Sequence, residues 1–284
     1  MKRNLWVNIA LLTAVAALAL IAYLKPHQGQ PEHGLSVLKA ADARTIKIEI
    51  AAGAPIVLER AASGWRLAAP FAARANEFQA QRLLEILAAA SKDRFPAAGL
   101  ARFELNEPRA RLTINQQVFS FGAVNPVSNE QYVLTQDGIY LIALRYGAAL
   151  PKDALQLVNQ QLFAPEEAPV ALEFQEFRIA QQDGKWVMSP AVADSSQDDI
   201  NRWIDEWRLA TAFAMLPTSN RKPLATIKAR LRSGNEVTLT VLEREPQLVL
   251  ARSDLPFEYQ FAGGAAKRLL APPTAESNAT ADKR

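Results

Sequence analysis

One local pattern occurs twice in this chain and limits the folds open to it. Ser63-Gly64 leads into Trp65-Arg66-Leu67 and stops at Pro70; Asp183-Gly184 leads into Lys185-Trp186-Val187-Met188 and stops at Pro190. A polar residue followed by glycine, flanked by alternating apolar residues, is the strongest short-range signal for a β-hairpin. Strands also precede each turn. Thr45–Ile50 alternates with period two before the first, and Val170–Phe174 and Phe177–Ala180 come before the second. After each proline the period changes to that of a helix. Phe78, Leu83, Leu84, Leu87 and Ala88 form one apolar stripe; Ile200, Trp203, Ile204, Trp207, Ala210 and Ala214 form the other. Ser196 with Asp199 three residues on is a capping-box start for the second helix.

Two hairpins follow each helix. The first set is Ala110–Ile114, Val118–Phe121, Gln131–Thr135 and Ile139–Ile142. The second is Thr226–Leu231, Glu236–Leu242, Gln247–Ala251 and Phe257–Phe261. Each half therefore reads β-β-β-α-β-β-β-β, an internally duplicated α+β fold with mainly antiparallel sheets. The copies span residues 36–165 and 166–272, and residues 152–162 add a short helix to the first. Whether they share one sheet or form two is open at this level. Residues 273–284 are small and polar and form a tail.

The amino terminus has a different character. Leu5 to Leu24 is interrupted only by Asn8 and Thr13, and twenty residues at about 1.5 Å each cover the ~30 Å hydrocarbon thickness. Trp6 and Tyr23 sit near its ends, where amphipathic rings favour the interface. A cleaved signal peptide would place its small-x-small site after the apolar run, whereas here such triplets lie inside it. An uncleaved anchor is expected at 5–24, after a cytoplasmic stub at 1–4. Lys2 and Arg3 precede it, and Lys25 alone follows closely, which favours a periplasmic body. Residues 25–35, rich in Pro, Gly, Gln and His, read as a linker. The inner membrane is thus one expected partner.

Charge and composition exclude several functions. The net charge is only +3, and Lys2 and Arg3 supply two of those charges. A near-neutral body has no general attraction for nucleic acid. There is no cysteine, so disulfides, thiolate metal sites and a cysteine nucleophile are ruled out. Both histidines, His27 and His33, lie in the linker, which leaves the body without an imidazole base or a histidine-ligated metal. No phosphate loop is present, because Gly263-Gly264 lacks the lysine and the spacing. The acidic cluster Asp194, Asp198, Asp199 and Glu206 lacks the turn glycine of a calcium loop, and helix-start acids complement the helix dipole without further function. Trp65, Trp186, Trp203 and Trp207 could stack on sugars, but their placement favours core packing. No catalytic residue, cofactor or metal ligand is nominated.

The best surface candidate is the loop with Asn125, Pro126, Ser128, Asn129, Glu130, Gln131 and Tyr132. The second half has only Glu243–Pro246 at this place, and a longer loop that breaks the repeat is where function tends to be added.

The stretches LERAASGWRLAAP (58–70), RFPA (94–97), FGAVNP (121–126) followed by Gln131-Tyr132-Val133, and LEREPQLVLARSDLPFEYQF (242–261) give the chain a resemblance to a bacterial family named only as domain of unknown function 4340. The family pattern often has Arg before the Tyr-Val pair, where this chain has Gln131. The resemblance implies an envelope protein, some relatives being encoded beside auxiliary components of gliding-type ABC transport systems. It implies no catalytic residue. The expectation is a non-enzymatic, inner-membrane-anchored periplasmic accessory protein that meets a membrane-protein partner as a component of an ABC-type transport or other envelope complex. The alternatives are a glycan- or lipid-binding module using the cleft between copies, and a hydrolase working with carboxylates alone.

Overall fold

The structure is a computed structural model that describes residues 11–17, 32–51, 53–191 and 195–273. Residues 11–17 are helical and exposed. No helix among the described residues is long and apolar enough to cross a membrane. The rest of the apolar run 5–24, most of the linker, Asp194 and nearly all of the tail lie outside the described residues.

Two large antiparallel sheets make up the body. The strands of the first half are β1 (His33–Gly34), β2 (Thr45–Ile50), β3 (Ile56–Ala61), β4 (Gly64–Ala69), β5 (Ala73–Arg74), β6 (Ala90–Ser91), β7 (Arg94–Phe95), β8 (Ala110–Ile114), β9 (Gln117–Val124), β10 (Glu130–Thr135) and β11 (Gly138–Ala143). They form a nine-stranded sheet in the order β5-β4-β3-β2-β8-β9-β10-β11-β7, and β1 pairs with β6 apart from it. The strands of the second half are β12 (Pro169–Glu173), β13 (Arg178–Gln182), β14 (Lys185–Ser189), β15 (Ala214–Pro217), β16 (Ala225–Leu231), β17 (Glu236–Glu243), β18 (Leu248–Arg252) and β19 (Phe257–Phe261). Their order is β14-β13-β12-β16-β17-β18-β19-β15. The question of one sheet or two is therefore answered as two. In each, the first long strand after the helix pairs with the first long strand of its half: β8 with β2, and β16 with β12.

Local chemistry accounts for these elements. Ile46 and Ile48 of β2 are buried and their neighbours are not, as period-two alternation requires. Gly64 and Gly184 have positive φ in the two hairpin turns. Both Trp strands end at a cis Xaa-Pro bond, Ala69-Pro70 and Ser189-Pro190. Helix α1 (Glu77–Leu84) is capped by Asn76, whose side chain accepts from the Gln79 N–H at 3.2 Å. A four-residue helix, α2 (Arg145–Ala148), follows β11. Helix α3 (Gln197–Arg208) starts with the expected capping box. Asp199 N–H donates to Ser196 Oγ at 3.2 Å, and Ser196 N–H donates to Asp199 Oδ2 at 3.1 Å. Helix α4 (Ala265–Leu270) closes the described body.

Several expectations need correction. Phe78 leaves the apolar stripe and stands 68% exposed, and α1 passes into a 3-10 turn over Glu85–Ala88. The second helix stops at Arg208, so Ala210 lies beyond it and Ala214 opens β15. The short helix at 152–162 shrinks to a 3-10 turn at Ala154–Leu157, because the residues after it form bridges to both halves. The linker is shorter than 25–35, since His33 and Gly34 pair with Ser91 and Ala90 and Leu35 is buried. The short strands β1, β5, β6, β7 and β15 were not expected.

Trp65, Trp186, Trp203 and Trp207 are all buried. Trp203 and Trp207 stack edge-on with ring centroids 6.0 Å apart, and Phe174 packs on both. Trp207 Nε1 donates to the Leu269 carbonyl at 2.9 Å, which ties α3 to α4. Burying a Trp removes on the order of 150–250 Å² from water, so these rings hold each helix to its sheet. One apolar cluster runs from Leu35 to Leu269 and includes buried residues of both sheets.

Candidate functional site

The segment Leu157–Glu167 laces the two halves together. On one side, Asn76 N–H donates to Leu157 O at 2.7 Å and Asn159 N–H to Arg74 O at 2.9 Å. On the other, Leu162 N–H donates to Ala210 O at 2.9 Å and Ala212 N–H to Gln160 O at 2.9 Å. Arg74 Nη2 donates to Gln161 O at 2.6 Å. Phe71 of the first half meets Phe257 of the second with ring centroids 5.5 Å apart.

Arg252, at the end of β18, fixes this seam. Its Nε and Nη2 donate to Asp254 at 3.0 and 2.8 Å. Its Nη2 and Nη1 donate to Glu167 at 3.1 and 2.9 Å, and Nη1 also donates to Leu162 O at 2.6 Å. A guanidinium has five N–H donors, and all five are used here. The side chain is only 2% exposed, so this saturation is what makes its burial tolerable. Burial alone would raise the Glu167 and Asp254 carboxyls, but the hydrogen bonds and charge of Arg252 outweigh it. Both are held below their ordinary values. Burial opposes the charge on Arg252 as well, yet its two carboxylates raise its pKa.

Beside this clamp lies a cleft of about 330 Å³ between the halves. Its polar lining comes from Arg66 and Arg74 of the first half, Asn159, Glu166 and Glu167 of the lacing segment, and Arg252, Asp254 and Tyr259 of the second. Burial pushes the Tyr259 phenol up to about 12, so it stays a neutral donor at physiological pH. None of these residues was singled out from the sequence. The one signal was Arg252 itself, a charge at the end of the apolar strand Leu248–Arg252, where burial demands partners.

The candidate segment Asn125–Tyr132 is shorter as a loop than expected: residues 125–129 join β9 to β10, while Glu130, Gln131 and Tyr132 already pair with β11 as the start of β10. The Asn125 side chain accepts from the Val127 N–H at 2.9 Å, its backbone N–H donates to Glu130 O at 2.7 Å, and its carbonyl accepts from Asn129 N–H at 2.9 Å. Asn129 takes the left-handed conformation at φ 56°. The β9–β10 register shifts between Gln131 and Val133, so Tyr132 sits at a bulge. Its ring lies on Phe103 at 4.6 Å, and its hydroxyl accepts from Asn125 Nδ2 at 3.2 Å. Gln131 points away from solvent recognition: its Nε2 donates to Gly122 O at 3.0 Å. The loop base is thus held by side chains, while Pro126, Val127, Ser128 and Asn129 are exposed and Val127 is 93% so.

Other candidates have structural employment. Asp199 caps α3, and Glu206 pairs with Arg268 at 3.5 Å. Asp198 stands in the first turn of α3, and no group of three or more metal-ligating side chains occurs among the described residues. His33 is in β1, and His27 lies outside the described residues.

The fold and the seam define a two-sheet antiparallel α+β protein held together by a buried arginine clamp. The family described as Domain of unknown function (DUF4340) matches residues 65–207, half of the chain, and the chain belongs to that family. The matched span contains Arg66, Arg74, Glu167 and the Asn125–Tyr132 loop, while Arg252, Asp254 and Tyr259 lie past it. No curated protein and no solved structure matches the chain.

Proposed function

We propose that this chain is a non-enzymatic accessory protein of the bacterial inner membrane, anchored through residues 5–24, whose periplasmic body presents the Asn125–Tyr132 loop to a membrane-protein partner. The carrying observation is the loop itself. An apolar tip, Val127, projects almost fully exposed from a base tied by Asn125 and Tyr132. A preorganised apolar contact loses little conformational entropy on docking, which favours protein recognition. The apolar run with Lys2 and Arg3 ahead of it supports the anchor and its orientation.

The two halves are copies of one unit on this reading. The matching strand orders, with a helix inserted after the third long strand of each half, support it. The longer loop of the first half then marks where one copy gained a task. An ABC-type transporter is the partner class suggested by the resemblance. The burial of Trp65, Trp186, Trp203 and Trp207 speaks against the sugar-stacking alternative, because those rings are spent in the cores.

Co-purification of the full chain from crosslinked native membranes tests the proposal. A membrane protein should be recovered with the wild type and reduced with Val127→Asp. Recovery of the free monomer alone from both would contradict it.

A further inference from the structure

Arg66 and Arg74 are direct cross-strand partners in the β4–β5 ladder, and both line the cleft at the seam. Like charges placed opposite each other in a sheet are destabilising unless something lies between them. Neither forms an ion pair with an acid among the described residues, and the Arg66 guanidinium makes no hydrogen bond there. Arg74 spends one nitrogen on Gln161 O, and its charge also reaches the Glu167 carboxylate without a direct ion pair. Glu167 and Asp254 are engaged by Arg252, whereas Glu166, also on the cleft wall, is exposed and has no cationic partner among the described residues. Tyr259 is buried against the same cleft, and its hydroxyl has no hydrogen-bond partner in the protein among the described residues.

We infer that this cleft binds a small phosphate-bearing zwitterion: Arg66 and Arg74 grip the phosphate, the Tyr259 hydroxyl donates to it, and Glu166 accepts from the ligand's ammonium group. Arginine forks match phosphate oxygens bidentately. A pair of them relieves its own repulsion by sharing the oxygens of one anionic phosphate. With the Arg252 clamp included, the lining carries three arginines and three carboxylates. A neutral lining of this kind favours a ligand with both signs of charge over a bare anion. The volume of about 330 Å³ has room to spare for phosphoethanolamine, which exists free and as a lipid headgroup. The site shares no residue with the Asn125–Tyr132 loop and does not depend on the partner proposed for it.

The test is calorimetric titration of the full chain in uncharged detergent, at fixed ionic strength, with O-phosphoethanolamine, inorganic phosphate and monomeric dihexanoyl phosphatidylethanolamine. O-phosphoethanolamine or the short-chain lipid should bind saturably, and whichever binds tighter identifies the source, soluble or membrane. Arg66→Gln, an exposed position whose loss leaves the fold intact, should weaken binding about tenfold or more. Arg66→Lys should fall between. Glu166→Gln should weaken the amine-bearing probes and leave inorganic phosphate unchanged. Absence of saturable binding by both amine-bearing probes, or equal affinity in wild type and Arg66→Gln, would overturn the inference. So would inorganic phosphate binding more tightly than both amine-bearing probes, or amine-probe affinity that Glu166→Gln leaves unchanged.

Discussion

Arg252 donates two hydrogen bonds to Glu167, 85 positions earlier in the chain, at 2.9 and 3.1 Å. This contact joins the end of β18 to the segment that laces the halves, and it makes the body one unit with a cleft at its seam.

Removing the guanidinium should therefore act on the whole molecule. Arg252→Met leaves Glu167 and Asp254 without their cation; breaking a fully buried pair costs about 3–5 kcal/mol, and the loss here is smaller because the two carboxylates are 29% and 47% exposed. Arg252→Lys should recover only part of this, because an ammonium has three donors and no fork. Denaturant unfolding of the chain with each substitution measures both effects. Equal stability of Arg252→Met and wild type would contradict the clamp.

The clamp also sets a response to acid. Glu167 and Asp254 titrate below their ordinary values in the folded state. The stability they contribute is fully present above the unfolded carboxylate range, near pH 4. It is lost as pH falls through the lowered native values. Thermal unfolding followed from pH 6 down to pH 2 should show a steeper loss for wild type than for Asp254→Asn. Parallel curves would argue against the clamp.

Gly122, at the foot of the loop, is fixed by close approach. A Cβ there would sit 2.2 Å from Phe103 O and 2.9 Å from Leu105. Gly122→Ala must displace backbone, and overpacking of this kind costs about 1–3 kcal/mol. The melting temperature should drop, with crosslinking through the loop weakened in the same variant.

Ser196→Ala removes the N-cap of α3 and should cost about 1 kcal/mol. Its effect should be confined to stability, because the helix serves the core through Trp203 and Trp207. Urea unfolding checks the size of the loss, and unchanged partner recovery checks its confinement.

Much of the fold was legible because its signals are local. The polar-Gly turns before Trp65 and Trp186, the alternation in Thr45–Ile50 and the Ser196–Asp199 box each act within a few residues, and each appears in the structure. What escaped notice depends on distant partners. The strands β5 and β7 are two residues each and exist only because β4 and β11 offer edges. Residues 158–162 looked helical by composition, but Arg74 and Ala210 claim their backbone groups. The cleft was illegible for the same reason. Arg66 and Arg74 meet across a ladder, and Arg252 reaches Glu167 only after the halves have docked. The loop was visible as an asymmetry between halves, but the inward role of Gln131 depends on Gly122 and so could not be read from the sequence.

The most direct test of the account places a photo-crosslinking residue at Val127 of the full chain in native membranes, with Lys185 on the opposite half as the control position. Position 127 should give one dominant membrane-protein adduct and position 185 none. No adduct at 127, or the same adducts at both positions, would contradict the account.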